Sequence, residues 1–270
     1  MEYRARNLWA MVLGGSSGIG LASVRQLAAL GFNVVAVHRD RRSQETALDE
    51  VFASIRSMGT NLITCNLDAL SLDGQERVLS LVESEIGPGR IRTLLHSIAL
   101  GNLKPAIHPP GEPDGQTSSI LGREDYAQTI YNMGSSLLFW VQELHKRNLF
   151  AHDARVFGLT SSGSNKVLPG YAAVSAAKCV LESVVRTIAV EFAPYGIRCN
   201  ALQPGTTDTP ALRLIPSANA LLEQSQHRNP YSRLTTPEDV AKIVALMSRD
   251  EASWINGSVI HVDGGEHLTL

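Results

Sequence analysis

The sequence predicts an α/β protein in which one doubly wound parallel sheet of about seven strands carries helices on both faces. Two observations predict this fold: short β-branched runs alternate with amphipathic stretches, and a glycine-rich turn directly follows the first run. With 270 residues, of which 44% are apolar, the chain can form one substantial core, so we expect a single domain over residues 1–270.

The elements alternate regularly along the chain. The predicted strands are residues 8–13, 33–38, 61–66, 93–97, 154–160, 197–202 and 258–262. The predicted helices run from the glycine turn to residue 30, over 44–58, 72–86 and 123–146, from 171 to 192, and from 237 onward with Thr236 as N-cap.

Composition narrows the functional class. The net charge of −2 is dispersed, which disfavours a nucleic-acid partner. Cys65, Cys179 and Cys199 lie far apart in apolar segments, which predicts buried free thiols and no metal site. No apolar run is long enough to span a bilayer, and residues 1–7 lack a signal peptide's apolar core. We therefore expect a cytoplasmic protein without a membrane partner.

The glycine turn Gly14-Gly15-Ser16-Ser17-Gly18-Ile19-Gly20 lies between a strand and a helix. Glycines let the backbone approach a pyrophosphate, whose charge is stabilised at the helix N-terminus. This order of elements favours a Rossmann-like dinucleotide site over a simple tight turn.

The end of the second strand indicates which dinucleotide binds. His38 occupies the strand tip, where NAD-specific sites usually place a carboxylate, and Arg39 beside it suits a 2′-phosphate. Asp40 stands two residues beyond the tip and keeps NADH open as the alternative. We expect NADPH. The predicted cofactor-binding residues are Gly14, Ser16, Ser17, Gly18, Ile19, Gly20, His38, Arg39, Asn66, Leu67, Ser97, Ile98, Ala99, Lys178, Pro204, Gly205, Thr206, Thr207 and Thr209.

Two irregular segments are predicted to cover the substrate. Residues 101–122 leave a strand end and contain four prolines, so they form either part of a substrate cover or a disordered loop. Residues 206–235 read as a mobile helical lid. His96, at the same strand end, fits a histidine satisfied by backbone groups better than a ligand or base.

Tyr171 and Lys178 open the long helix and form its acid–base pair. Seven helical steps amount to about two turns, so the two side chains share one face. An ammonium near a phenol lowers the phenol's pKa and favours proton donation. We expect Tyr171 and Lys178 to be catalytic, with Ser161 and Asn132 in supporting roles.

These residues together resemble the short-chain dehydrogenase/reductase family over nearly the whole chain. The resemblance rests on Gly14, Gly18, Gly20, Asn132, Ser161, Lys178, the Pro204-Gly205 turn and the ending Val262-Asp263-Gly264-Gly265. Four departures stand out: Leu13 replaces a usual threonine, Asn66 replaces an aspartate, His96-Ser97-Ile98-Ala99 replaces Asn-Asn-Ala-Gly, and Val174 occupies the usual position of the catalytic tyrosine.

The spacing of Tyr171 and Lys178 is similar to that of the enoyl-acyl-carrier-protein reductase branch. Pro169-Gly170-Tyr171, Ser175-Ala176-Ala177-Lys178 and the segment from Asp208 to Leu212 resemble that branch too. The glycine turn is the ordinary one, and Ser161 stands where the main enoyl reductases have a second tyrosine. The resemblance is thus to NADPH-dependent enoyl reductases that keep the ordinary turn.

This resemblance implies hydride transfer from NADPH to the β-carbon of a trans-2-enoyl thioester, carried on acyl carrier protein or coenzyme A, in fatty acid synthesis. A tyrosine withdrawn by about 5 Å suits a reaction whose charge builds on the more distant thioester oxygen. In this reading Lys178 holds the nicotinamide ribose.

Two alternatives remain. One is a reductase of a ketone such as a 3-ketoacyl thioester, with Ser161 or Tyr171 as acid, and the other is a nucleotide-binding regulator without turnover. The surplus apolar surface on the helices around Asn132 and Val184 predicts self-association, and the resemblance implies a homotetramer.

Overall fold

The structure is a computed structural model that describes residues 2–108, 120–215 and 217–269. Its strands are β1 Trp9–Leu13, β2 Asn33–His38, β3 Leu62–Asn66, β4 Ile91–His96, β5 Phe150–Leu159, β6 Ile197–Pro204 and β7 Val259–Val262. Its α-helices are α1 Glu2–Ala5, α2 Gly18–Leu30, α3 Glu45–Arg56, α4 Leu72–Glu85, α5 Arg123–Ile130, α6 Ser136–Lys146, α7 Ala172–Glu191, α8 Ala218–Arg228 and α9 Pro237–Met247.

All strand pairings in the described residues are parallel, and they form one seven-stranded sheet in the order β3-β2-β1-β4-β5-β6-β7. The predicted doubly wound sheet is confirmed. The order reverses between β1 and β4, and a sheet of this kind binds ligands at the carboxyl ends of the strands beside such a reversal. Leu13 pairs with Val37 on one side and with His96 on the other, so the tips of β1, β2 and β4 meet at this edge.

Helices cover both faces of the sheet and divide the core in two. One apolar cluster joins the sheet to α4, α6 and α7 and includes Leu79, Trp140 and Leu181. The other joins it to α2, α3 and α9 and includes Leu27 and Val240. The β-branched residues of the strands contribute to both clusters, as expected for strands buried on both faces.

The helix predicted over 123–146 is interrupted. A π-helical turn at Tyr131–Ser135 separates α5 from α6, and it contains Asn132. Gly134 in this turn lets α7 approach, because a Cβ there would lie 2.8 Å from the Ala177 carbonyl oxygen. The apolar periodicity of the sequence did not reveal this turn.

Other expectations are corrected or only partly covered. Cys65 and Cys199 are buried free thiols, but Cys179 is exposed, because it lies on the outer face of α7. The short helix α1 was not predicted. Of the predicted cover, residues 109–119, with Pro109, Pro110 and Pro113, lie outside the described residues. The predicted lid contains a 3₁₀ turn at Leu212–Leu214 and α8, and Pro216 within it lies outside the described residues.

No helix among the described residues is long and apolar enough to cross a bilayer. Several apolar side chains on the outer helices are exposed, among them Leu72, Phe139 and Val190. The homotetramer stays a prediction.

The predicted N-cap of α9 is confirmed as a full capping box. The Thr236 hydroxyl accepts from the Asp239 N–H at 3.2 Å, and the Asp239 carboxylate accepts from the Thr236 N–H at 2.9 Å. Thr236→Ala removes the hydroxyl that satisfies one helix-end donor, so we expect a loss of about 1 kcal/mol in the free energy of unfolding, measured by urea denaturation.

Thr187→Ala is the matched control, because Thr187 lies inside α7 and its hydroxyl donates to the Ser183 carbonyl. Alanine has the higher helix propensity there, so its effect should be small or stabilising. Equal losses in both variants would contradict the capping role of Thr236.

Candidate active site

The glycine turn brings β1, α2 and the tip of β4 into close backbone contact. Gly14 has φ +87°, and a Cβ there would lie 2.4 Å from the Ser97 carbonyl oxygen. A Cβ on Gly20 would lie 1.9 Å from the Gly14 carbonyl oxygen, closer than any real contact. These positions admit only glycine.

The start of α2 is suited to an anion. Ser17 is the N-cap and makes no side-chain capping bond, and the first turn of α2 contains no acidic residue. The first N–H groups of a helix have no intrahelical partner, and the helix dipole favours negative charge beside them. Gly14, Ser16, Ser17, Gly18, Ile19 and Gly20 therefore fit a pyrophosphate.

The loop after β6 approaches the same turn. A Cβ on Gly18, whose φ is +50°, would lie 3.3 Å from Thr209 Cγ2. Thr206 already donates its N–H and its hydroxyl to the Glu266 carboxylate, both at 2.9 Å. Thr207 is buried and donates to the Gly205 carbonyl. The structure thus brings Thr209 to the turn, while Thr206 and Thr207 hold the loop itself.

The tips of β2 and β3 form a connected polar group. His38 Nδ1 lies 2.8 Å from the Asp40 carboxylate, and Asn66 binds the Asp40 backbone through both its amide atoms. The Asp40 carboxylate is therefore already engaged in a hydrogen bond with His38. Arg39 is exposed and paired with Asp68 at 2.7 Å, so its guanidinium is beside the strand tip but must exchange this partner to reach a phosphate.

The tip of β4 continues this edge toward the site. The Ser97 N–H donates to the Leu13 carbonyl at 2.8 Å, and Ser97, Ile98 and Ala99 follow β4 directly. Leu67 follows β3 in the same way and donates its N–H to the His38 carbonyl. The predicted cofactor residues of four strand ends therefore share one edge of the sheet.

Tyr171 stands at the N-cap of α7 and packs on the loop after β5. A Cβ on Gly163 would lie 2.6 Å from Tyr171 Cε1 and 3.2 Å from Ser161 Oγ, so the glycine makes room for the ring beside Ser161. The expected lowering of the phenol's pKa by Lys178 is wrong for this arrangement. Burial raises the pKa of Tyr171, and a hydrogen bond with Ser161 opposes that rise.

Lys178 lies on the buried face of α7 and fixes the helix to the sheet. Its Nζ donates to the Leu159 carbonyl at 2.7 Å. Burial lowers the pKa of Lys178 to about 8, and the nearby Glu182 carboxylate opposes the shift. The lysine is therefore close to its titration point near neutral pH.

Asn132 and His96 are joined by hydrogen bonds through Ser136. Asn132 Nδ2 donates to the Leu100 carbonyl at 3.1 Å, and the Asn132 carbonyl accepts from the Ser136 hydroxyl at 2.9 Å. His96 Nε2 lies 2.8 Å from the same hydroxyl. Because Ser136 donates its one proton to Asn132, it accepts from His96 Nε2–H. His96 is thus satisfied by the Ser136 side chain through Nε2 and by a hydrogen bond with its own backbone, so the backbone contact expected from the sequence is one of two.

His96 is neutral at this position. Burial and the charge of Lys178 lower its pKa to about 3. A histidine with so low a pKa does not serve as a general base at neutral pH.

Val174 is buried in a small apolar cluster with Met133, Ala177, Leu103 and Tyr171. Gly101 admits this packing, because a Cβ there would lie 3.0 Å from Val174 Cγ2. Val174, four residues before Lys178, has no proton to donate. The phenol in this cluster belongs to Tyr171.

Known proteins place this arrangement in a family. The profile of a family described as Enoyl-(Acyl carrier protein) reductase matches residues 14–267. The chain belongs to the short-chain dehydrogenase/reductase family. Members of this family are oxidoreductases that use a nicotinamide cofactor, NAD(H) or NADP(H).

Similar members of the short-chain dehydrogenase/reductase family differ in their reactions. An uncharacterised oxidoreductase of Bacillus subtilis is 28% identical over 261 residues, which cover 95% of each chain. An L-rhamnose 1-dehydrogenase (NAD(P)(+)) of Azotobacter vinelandii is 28% identical over 264 residues, which cover 96% of each chain. The solved enoyl-[acyl-carrier-protein] reductase (NADH) of Aquifex aeolicus is 24% identical and has a TM-score of 0.79, with 97% of each chain covered.

Sequence reasoning missed two residues of this short-chain dehydrogenase/reductase site. Glu182 lies four residues after Lys178, which places it on the same helix face, and it accepts from the Thr160 hydroxyl at 2.6 Å. The i,i+4 spacing was a usable signal for Glu182. Ser136 had none, because its contact with His96 joins residues 40 positions apart.

The pKa of Lys178 predicts the pH dependence of cofactor use. Its ammonium is present below pH 8 and is lost as pH rises through about 8. We expect kcat/KM for the reduced cofactor to fall about tenfold per pH unit above that value, since this parameter reports groups of the free enzyme. Initial rates measured across the pH range check it.

Two variants test the assignment. Glu182→Gln removes the charge that raises the pKa of Lys178, so the fall should begin at lower pH. Lys178→Arg keeps a cation over the whole pH range, so any remaining activity should no longer fall above pH 8. A wild-type profile that stays flat toward the ordinary lysine value of 10.5 would contradict the assignment.

Proposed function

We propose that this protein is an NADPH-dependent enoyl reductase that acts on trans-2-enoyl thioesters of acyl carrier protein or coenzyme A. The main support is the exchange of positions on α7: Val174 is buried where most members of the family have a tyrosine, and Tyr171 lies at the longer spacing from Lys178, beside Ser161. The family description and the Aquifex aeolicus enzyme, which is an NADH enzyme, both support enoyl reduction.

The raised pKa of Tyr171 fits an electrophilic role. At neutral pH the phenol keeps its proton and can donate a hydrogen bond to a thioester carbonyl oxygen. NADPH, when bound, supplies the hydride for the β-carbon. Charge then develops on the thioester oxygen, and a preorganised donor in a dry site stabilises that charge strongly.

The other residues of the site have binding and positioning roles. Ser161 forms a hydrogen bond with the phenol of Tyr171 and so positions it, while the Lys178 ammonium suits the hydroxyls of a nicotinamide ribose. Leu103, Met133 and Val174 form an apolar cluster next to Tyr171, which makes this side of the site suited to an acyl chain. Asn132 ties the segment that starts at Leu100 to the π turn and so positions this cluster.

A ketone reductase is the second candidate. The similarity to the L-rhamnose 1-dehydrogenase of Azotobacter vinelandii shows that the family at this identity includes oxidoreductases of other substrates. Such a reaction needs its acid close to the nicotinamide, and either Ser161 or Tyr171 would supply it. Parallel assays with enoyl and 3-ketoacyl thioesters of the same carrier separate the two.

Tyr171→Phe tests the chemistry. It removes the hydroxyl and keeps the ring that packs on Gly163, so the fold and NADPH affinity should survive. We expect kcat for crotonyl and longer enoyl thioesters to fall about 10²- to 10³-fold, as for loss of one preorganised donor. The measurement is NADPH consumption, with NADPH affinity measured separately by fluorescence titration.

Tyr195→Phe is the matched control, because Tyr195 is an exposed tyrosine beyond the end of α7 whose ring lies against His145. Its kcat should equal that of the wild type. An unchanged kcat in Tyr171→Phe, or faster reduction of the 3-ketoacyl substrate by the wild type, would refute the enoyl assignment.

Arg39→Ala tests the cofactor preference. A charge-assisted phosphate contact is worth about 1.5–3 kcal/mol, so kcat/KM for NADPH should fall by about one to two orders of magnitude while that for NADH changes little. Asp68→Asn should act in the opposite direction, because it frees Arg39 from its ion pair.

Arg77→Ala is the control for general charge, since Arg77 is an exposed arginine paired with Asp73 on α4. A wild-type enzyme that uses NADH as well as NADPH would contradict the preference.

A further inference from the structure

A cluster of two histidines and one aspartate lies at the end of β7. The rings of His261 and His267 are stacked with centroids 3.8 Å apart and planes inclined by 14°. With Asp263 they offer three ligand atoms that all lie within 4.8 Å of one another. None of the three belongs to the Tyr171 group.

Asp263 prepares His267 as a ligand. It is buried and accepts from the Gly265 and His267 N–H groups, each at 3.0 Å, and from His267 Nδ1 at 2.6 Å. Because His267 donates through Nδ1, the neutral ring carries its free lone pair on Nε2. A histidine held by a carboxylate in this way is the usual arrangement at protein metal sites.

Gln203 can prepare His261 in the same way. Its side-chain amide lies 3.0 Å from His261 Nδ1, across the β6–β7 pairing that joins these two residues. The amide presents either its nitrogen or its oxygen after a rotation of about 180°. With the oxygen toward Nδ1–H, the lone pair of His261 is also on Nε2.

We propose that His261 and His267 bind one divalent late transition-metal ion through their Nε2 atoms, with Zn²⁺ as the reference ion and Asp263 as the carboxylate that orients His267. Two imidazoles suit Zn²⁺, Ni²⁺ or Cu²⁺ better than Mg²⁺ or Ca²⁺, which prefer sets made of oxygen only. The two protein ligands leave the remaining positions for water. The sequence expectation of no metal site was based on the cysteines, none of which takes part.

The surroundings admit an ion. His261 and Asp263 line a groove of about 360 Å³ between α9 and the segment that follows α8. Arg233 and Lys242 line the same groove, but Arg233 is paired with Asp239 at 2.6 Å. His261 lines this groove and is exposed, and His267 beside it is half-buried, so solvent and an ion can reach the two rings.

Binding at this site would stabilise the contact between the turn at Glu266–Leu268 and the loop that follows β6. A Cβ on Gly205 would lie 3.0 Å from Asp263 Cβ and 2.7 Å from the Glu266 carboxylate, so the residues that follow β6 rest directly on the metal-binding segment. The expected effect is structural: the ion stabilises the fold through the end of β7, and the proposal does not depend on which substrate is reduced.

The test uses the full chain without a histidine tag, first stripped with a chelator. Equilibrium dialysis against micromolar Zn²⁺ should give one ion per chain for the wild type, and Co²⁺ should give the visible absorption of a nitrogen-ligated ion. Zn²⁺ should also raise the melting temperature, since it binds only the folded chain. Reduction of substrate is not part of the readout.

Two variants and one control decide the outcome. His261→Phe keeps a ring for stacking, and His267→Gln keeps a polar side chain near Asp263; both should lose the bound ion and the metal-dependent rise in melting temperature. His227→Gln on α8, outside the cluster, should behave as the wild type. Each variant is compared with itself with and without Zn²⁺, so a change in basal stability does not obscure the result.

Two results would overturn the proposal. One is a wild type that binds no Zn²⁺ or Co²⁺ at about 100 micromolar, far weaker than typical protein zinc sites. The other is a His261→Phe or His267→Gln variant that retains one ion per chain at the wild-type affinity.

Discussion

The buried ammonium of Lys178 determines how the long helix α7 lies on the sheet. Burying a charge is costly unless the charge is paired or hydrogen-bonded, and here Nζ is held by the Leu159 carbonyl at the end of β5 with the Glu182 carboxylate nearby. This bond fixes α7 lengthwise against β5. The position of Tyr171 at the start of the helix follows from that placement. The Lys178 charge also adds to the burial that lowers the pKa of His96 and keeps it neutral.

Much of the fold could be predicted because its signals are local. The central strands β1 and β4 are short apolar runs buried on both faces, and the capping box of α9 is visible as Thr236 followed by Asp239. The π turn at Tyr131–Ser135 could not be predicted, because one inserted residue leaves the apolar pattern on either side intact. The exposure of Cys179 depends on which face of α7 packs, and a helix that is apolar over most of its surface does not reveal it.

The site shows the same division. The residues of the glycine turn and the spacing of Tyr171 and Lys178 are local patterns, and the structure places them at one edge of the sheet. The direction of the Tyr171 pKa shift was predicted wrongly, because it is set by burial against Gly163 and not by distance along the helix from Lys178. The contact of His96 with Ser136 and the pairing of Arg39 with Asp68 join distant parts of the chain.

The π turn separates two tasks of what would otherwise be one helix. One residue of an α-helix corresponds to about 100° of rotation, so the extra residue in the turn offsets the faces presented by α5 and α6. The α6 side, with Leu137, Trp140 and Val141, belongs to the core under the sheet, whereas Ile130 at the end of α5 packs with Leu103 and Tyr171. Substitutions on α5 can therefore reshape the surface beside Tyr171 without repacking the core, which gives the scaffold room to acquire new substrates by mutation while its stability is preserved.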